Sequence, residues 1–225
     1  MVLEATSDKI SFFKQYFSVI ILIANIAVFV WQMMDPTGQM HIEYAFVPAE
    51  FLAGEKWWTL ITSMFMHGDI IHIIMNMWFF FVITDNCEHA MGHLFYLITY
   101  FVSGLFATML HMFSTFLVPI WGPILANIPS LGASGAIFGL MAVYVILYPN
   151  NKFLLPTGST MRRVTASYFI ITYFITELTY AFVSLNNPLM SQTAHFAHVG
   201  GFVAGAIMAG LFKAVKGSSY KKKPK

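Results

Sequence analysis

Gly132-Ala133-Ser134-Gly135-Ala136-Ile137-Phe138-Gly139 contains the start, at Ser134, of an apolar run that reaches Tyr148 without a charged residue. A hydroxyl at the head of such a run, beside glycines four residues apart, reads as a membrane-embedded helix with one polar group and one close-packing face. Further apolar runs lie on either side of it, near Phe13 to Met33, Ile70 to Thr84, Phe95 to Phe116, Val164 to Val183 and His198 to Phe212. Each can cross, or nearly cross, a hydrocarbon core of about 30 Å if its polar end is tucked into a bundle. The expected count is six spans. The period-two alternation of a membrane barrel is absent from these runs.

Composition points the same way. The 225 residues are 58% hydrophobic and 10% charged and include 23 Phe and 15 Met, too little polar surface to cover a soluble body. Mean hydropathy is +0.69. The expectation is an all-α membrane protein whose single bundle takes in residues 1–225, with a short N-terminal segment (about 1–12) and a basic C-terminal tail (about 213–225). Neither a repeat nor a domain boundary is visible.

Lys and Arg set the orientation. With six spans, Lys9, Lys14, Lys152, Arg162, Arg163, Lys213, Lys216, Lys221, Lys222, Lys223 and Lys225 fall on one face and Lys56 alone on the other. Both termini are therefore expected in the cytoplasm, and the long connection from Asp35 to Met66 outside, with Trp57 and Trp58 at headgroup level. The basic tail reads as a topology anchor on anionic lipid rather than a nucleic-acid arm, so the bilayer is an expected partner and nucleic acid is not. Glu4 and Asp8 stand where a signal peptide would carry its basic segment, so the first run is expected to remain a span. A lone cysteine, Cys87, excludes an internal disulfide and reads as a packing residue.

This topology predicts a meeting of motifs. The second, fourth and sixth spans run from outside to inside, and their N-terminal ends carry His67, His72 and Asn76, then Ser134, then His198. Ser134 lies fourteen residues before Tyr148 and His198 fourteen before Phe212, so both side chains stand about 21 Å above the inner boundary. Gly135 and Gly139 on one span, and Gly201, Gly205 and Ala209 on the other, form small-residue faces that let backbones approach closely. Ser134 can then reach His198, as a nucleophile must reach its general base.

Taken singly, each residue has a plainer reading: Ser134 as a small packing residue and His198 as a hydrogen-bonded bundle imidazole. Their shared depth beside His72 and Asn76 favours chemistry. His72 and Asn76 are four apart on one helical face and both can donate, which suits an oxyanion site together with the Ser134 backbone N–H at a helix start. His67 is expected before the first turn or on another face, supporting the outer loop. No acidic residue adjoins the motifs in sequence, which suggests a Ser-His dyad. Glu177, at a similar depth, reads as a protonated, hydrogen-bonded carboxyl or as a group that orients His198 or contacts substrate. Eight histidines invite a haem or metal reading, but no two spans carry matched mid-membrane histidines, so no metal or cofactor is expected. His89, His93 and His111 read as inner-loop or packing residues.

From about Trp57 to Gly205 the chain resembles a rhomboid protease. The resemblance rests on His67-(x4)-His72-(x3)-Asn76, on Gly132-x-Ser134-Gly135-Ala136-Ile137-Phe138-Gly139 and on Ala197-His198-x-Gly200-Gly201-(x3)-Gly205. It implies a six-helix rhomboid-like bundle in which Ser134 is the nucleophile, His198 the base, and His72, Asn76 and the Ser134 amide the oxyanion site, with Glu88 a structural glutamate. It further implies hydrolysis, through an acyl-enzyme, of peptide bonds in or near the transmembrane segments of single-pass proteins. The expected setting is a bacterial cytoplasmic (inner) membrane with the active site open to the outer side. Two departures stand out: Trp58 is followed by Thr59 where the family often has arginine, and Phe138 replaces a tyrosine that stacks on the histidine in some members. Inactive relatives that bind membrane clients without cutting them are the alternative; they usually lack the serine or the histidine, and both are present here.

Overall fold

The computed structural model describes residues 3–4, 14–157, 160–186 and 193–216. Lys9, Asn187, Pro188, Lys221, Lys222, Lys223 and Lys225 lie outside the described residues, as does most of the N-terminal segment and the tail from 217 onward. The bundle is built from α1 (Tyr16–Met33), α2 (Ile70–Met91), α3 (His93–Thr115), α4 (Ser134–Leu147), α5 (Ala166–Asn186) and α6 (His195–Lys216). All but α4 are long and apolar enough to cross a membrane.

Burial sorts these helices. Along α4, Gly135 to Val145 are all buried, as is Leu147. A helix apolar on every side belongs at the centre of a bundle, where other helices take the place of lipid. On α1 the buried residues are Ser18, Ile21, Asn25, Phe29 and Gln32, a stripe at three- and four-residue spacing that faces inward while Ile20, Ile23 and Val30 face outward. In α5 only Ala166, Ile170, Glu177 and Ala181 are buried. That helix is the most loosely enclosed.

The α4–α6 contact depends on missing side chains. A Cβ on Gly201 would stand 1.9 Å from the Gly135 carbonyl oxygen, and one on Gly205 would stand 2.0 Å from that of Gly139. On its other side α4 meets α3, where Gly135 faces Ala107 and Gly139 faces Ser103. The small-residue faces expected from sequence are thus in direct contact, and they fix the depth of α6 against α4.

Helix α2 runs past the expected end at Thr84 to Met91, because its polar residues are used inside the bundle. The buried Glu88 carboxylate accepts from the Phe17 and Ser18 backbone N–H groups at 3.0 and 2.8 Å, from Ser18 Oγ at 2.5 Å and from His93 Nδ1 at 2.6 Å. It therefore caps the start of α1, whose first N–H groups have no partner within their own helix. Gly92, with φ 77°, turns the chain into α3. Cys87 is fully buried, its Sγ 3.5 Å from the Leu140 carbonyl oxygen.

The all-α expectation needs correction. The connection between α4 and α5 folds into β2 (Lys152–Thr157) and β3 (Thr160–Thr165), and β1 (Leu3–Glu4) pairs with β2 in an antiparallel sheet of order β1-β2-β3. Lys152, Arg162 and Arg163 occupy exposed strand positions. Phe153, opposite Val164, is buried against Tyr144 and Phe169 and anchors the hairpin to the bundle.

Candidate active site

The connection between α1 and α2 supports the site. It contains the short helices Gln39–Tyr44, Pro48–Leu52 and Thr59–Thr62. Lys56 Nζ donates to the Ile42 carbonyl at 2.8 Å and to Glu50 at 3.0 Å, Trp58 Nε1 donates to the Glu43 carbonyl, and Thr62 Oγ1 to the Tyr44 carbonyl. These bonds brace the loop around Thr59. The Gln32 side-chain amide clasps the His67 backbone, accepting from its N–H at 3.0 Å and donating to its carbonyl at 3.1 Å. The His67 ring is buried, lies edge-on to His72, and has neither nitrogen paired among the described residues. Burial pushes its pKa down to about 3, so the imidazole is neutral.

Asp69 caps α2 by accepting from the His72 backbone N–H at 2.8 Å. This starts the helix so that His72 and Asn76 project to one side, both lining a cavity of about 1050 Å³. His72 Nδ1 accepts from the Gly68 N–H at 3.3 Å. In the neutral ring the proton then sits on Nε2. That nitrogen faces Gly132, whose φ is 130° and where a Cβ would come within 3.0 Å of it and 3.6 Å of Ser134 Oγ. Gly132 is held by donating to the Ser63 carbonyl at 2.9 Å. Its lack of a side chain lets His72 look onto the serine.

Ser134 is the first residue of α4, so its N–H lies outside the intrahelical ladder. Its Oγ is 2.8 Å from His198 Nε2. Phe138, one turn along α4, stacks on the His198 ring at 4.3 Å with 11° between the planes. The other ring nitrogen, Nδ1, lies 2.7 Å from Glu177 Oε2 on α5, and His195 Nδ1 lies 2.7 Å from that same oxygen. Glu177, His195 and His198 are all buried. The sequence reading left Glu177 open between a protonated carboxyl, a group orienting His198 and a substrate contact; in the fold its carboxyl lies between His198 and His195.

His72, Asn76, Ser134, Glu177 and His198 thus converge on one cavity, lined also by Phe138. His67 stands behind His72, Glu88 is remote at the start of α1, and Gly132 packs against the His72 ring. Sequence reading missed His195 and the contributions of His111, Tyr173 and Tyr180 to the lining. The three-residue spacing of His195 and His198, which puts both on one helical face, was the available signal. Glu177, His195 and His198 also bring three metal-capable groups within 4.8 Å of one another. Their spacing is that of hydrogen bonds: tetrahedral ligands at about 2.0–2.1 Å from a zinc ion would stand roughly 3.3 Å apart, whereas both nitrogens here lie 2.7 Å from one oxygen.

The family model for the rhomboid domain matches residues 54–214, which include every one of these groups. The chain belongs to the rhomboid family. It is 28% identical over 203 residues to the rhomboid protease AarA of Providencia stuartii, covering 84% of this chain and 69% of that protein. Over 152 residues it is 28% identical to the mitochondrial RHOMBOID-like protein 6 of Arabidopsis thaliana, covering 68% of this chain and 42% of that one. It is 25% identical over 174 residues to the rhomboid protease GluP of Bacillus subtilis strain 168, covering 76% of this chain and 29% of that one. The chain thus spans less than half the length of the last two. Rhomboid membership and the five long apolar helices together make it an integral, multi-pass membrane protein.

Proposed function

We propose that this chain is an intramembrane serine protease in which Ser134 is the nucleophile and His198 the general base. The observation that carries this reading is the 2.8 Å approach of Ser134 Oγ to His198 Nε2 beside a cavity of about 1050 Å³. His198 takes the hydroxyl proton as Oγ attacks the scissile carbonyl carbon. The resulting oxyanion is met by His72 Nε2–H, the Asn76 amide and the Ser134 N–H. Collapse expels the amine, which carries the proton from His198. Water, deprotonated by the same imidazole, then releases the acyl group.

In this reading residues 1–225 form a single membrane domain of six crossing helices with both termini cytoplasmic, in a bacterial cytoplasmic membrane, and the cavity opens to the outer side. The substrates are single-pass membrane proteins, entering beside the loosely enclosed α5. A helical substrate hides its carbonyls in hydrogen bonds, so segments that unwind easily, with Gly, Pro or polar residues near the outer end, are preferred.

Labelling of the purified protein in detergent by a serine-directed fluorophosphonate tests the reading. Wild type labels, and Ser134→Ala and His198→Ala do not. A well-folded wild type that neither labels nor cuts a single-span test substrate would instead be a client-binding protein without catalysis.

A further inference from the structure

We propose that Glu177 is a positioning residue for His198, so that the site operates as a Ser134–His198–Glu177 triad whose carboxylate is shared with His195. The inference rests on the serine protease reading and deepens it. Two imidazole nitrogens meet Glu177 Oε2, each at 2.7 Å. One carboxyl oxygen holds at most one proton, so a protonated Glu177 could serve only one of them by donating. An ionised carboxylate accepts from both, with a proton on each Nδ1.

For His198 that tautomer has a direct consequence. With Nδ1 protonated, the neutral ring presents a bare lone pair at Nε2, the nitrogen 2.8 Å from Ser134 Oγ. Nothing in the Ser134–His198 contact alone chooses this tautomer over its opposite, which would aim an N–H at the hydroxyl and could not take its proton. When His198 takes the Ser134 proton, the imidazolium formed is adjacent to a carboxylate in a site largely removed from water, where opposite charges stabilise each other strongly. His195 fills the second acceptor position of Oε2 and, with Tyr180 stacked on it at 5.3 Å, holds the carboxylate in place.

Other groups surround His198: His195 from its own helix, His72 from α2 and His111 from α3, with Asp69, Tyr173 and Tyr180 lining the same cavity. Among the described residues Glu177 is the carboxylate hydrogen-bonded to it. Its replacement by glutamine keeps size but removes the charge and sets a donor as well as an acceptor between two imidazoles, so the tautomer is no longer fixed.

The test compares fluorophosphonate labelling rates of wild type and Glu177→Gln across pH in detergent, per folded molecule as counted by thermal melting. The expected result is a fall in rate on the order of 10²–10⁴-fold. In the variant, nitrogen-15 histidine spectra should show the His198 proton no longer confined to Nδ1. A variant that labels within threefold of wild type overturns the inference and leaves the protease reading standing. A wild type that does not label overturns both. Should Glu177→Gln fail to fold, nitrogen-15 histidine spectra of wild type decide: His198 carries its proton on Nδ1, and a proton on Nε2 overturns the inference.

Discussion

Gly205 of α6 lies so close to Gly139 of α4 that a Cβ on the former would stand 2.0 Å from the backbone carbonyl oxygen of the latter. Backbone cannot yield as a flexible side chain does, so this contact sets how far α6 can slide or tilt against α4. The serine and histidine ride on these same two helices, and the Ser134–His198 distance inherits the precision of a contact two turns below.

Gly205→Val should therefore separate α4 from α6. Thermal melting in detergent should show a loss of stability of roughly 3 kcal/mol or more, since overpacking against rigid backbone is at the costly end of core substitutions. Gly210→Ala provides the control, because nothing lies within 4 Å of its added methyl. It should melt at or slightly above the wild-type temperature, as glycine in a helix interior costs about 0.5–1 kcal/mol relative to alanine.

Gly132→Ala is predicted to separate activity from folding. The substitution meets a φ of 130° and the His72 ring at 3.0 Å, costing about 1–3 kcal/mol in strain. Relief comes by moving His72 away from the serine. Removal of one oxyanion donor lowers turnover by about 10²–10³-fold. Cleavage of a single-span test substrate should fall by that order while KM changes little.

Glu88→Ala should destabilise without touching the chemistry. The buried carboxylate holds the first N–H groups of α1, the Ser18 hydroxyl and His93. Stranding several buried donors at once should cost on the order of 3–5 kcal/mol. The melting temperature should drop, with fluorophosphonate labelling per folded molecule kept within a few-fold of wild type.

Acid should weaken the half of the bundle that holds the site, through His67. Its folded pKa is about 3 against an ordinary value of 6.5, so between those values the unfolded chain binds a proton that the folded chain does not. Stability contributed by the neutral ring is complete above 6.5 and is lost as pH falls toward 3, by at most about 1.4 kcal/mol per unit. Melting temperatures measured from pH 7 to pH 4 should decline, and His67→Phe should decline less steeply.

Much of the bundle was legible because lipid imposes a simple constraint: a crossing segment must be apolar and must satisfy its own backbone. Ser134 to Leu147 was read to within one residue on that basis. Helix α2 ran seven residues beyond its expected end because Glu88 and its neighbours are polar for a tertiary reason, the capping of α1. The β2–β3 hairpin was hidden because Arg162, Arg163 and Lys152 read as loop chemistry, whereas its anchor is one phenylalanine buried against α4 and α5. In the site, the serine, histidine and asparagine announced themselves as polar groups in apolar runs. The partnership of Glu177 with two imidazoles did not, since it joins residues eighteen and twenty-one positions apart on two different helices.

The sequence by itself determined that this is a helical membrane protein and that Ser134, His198, His72 and Asn76 share one end of its helices, because hydropathy, helical rise and span direction are local properties that add along the chain. Only the tertiary structure decided which nitrogen of His198 faces the serine and which carboxylate faces the other nitrogen. Those depend on the rotation of α5 and α6 about their axes, which the packing of one helix against another sets and no single segment encodes.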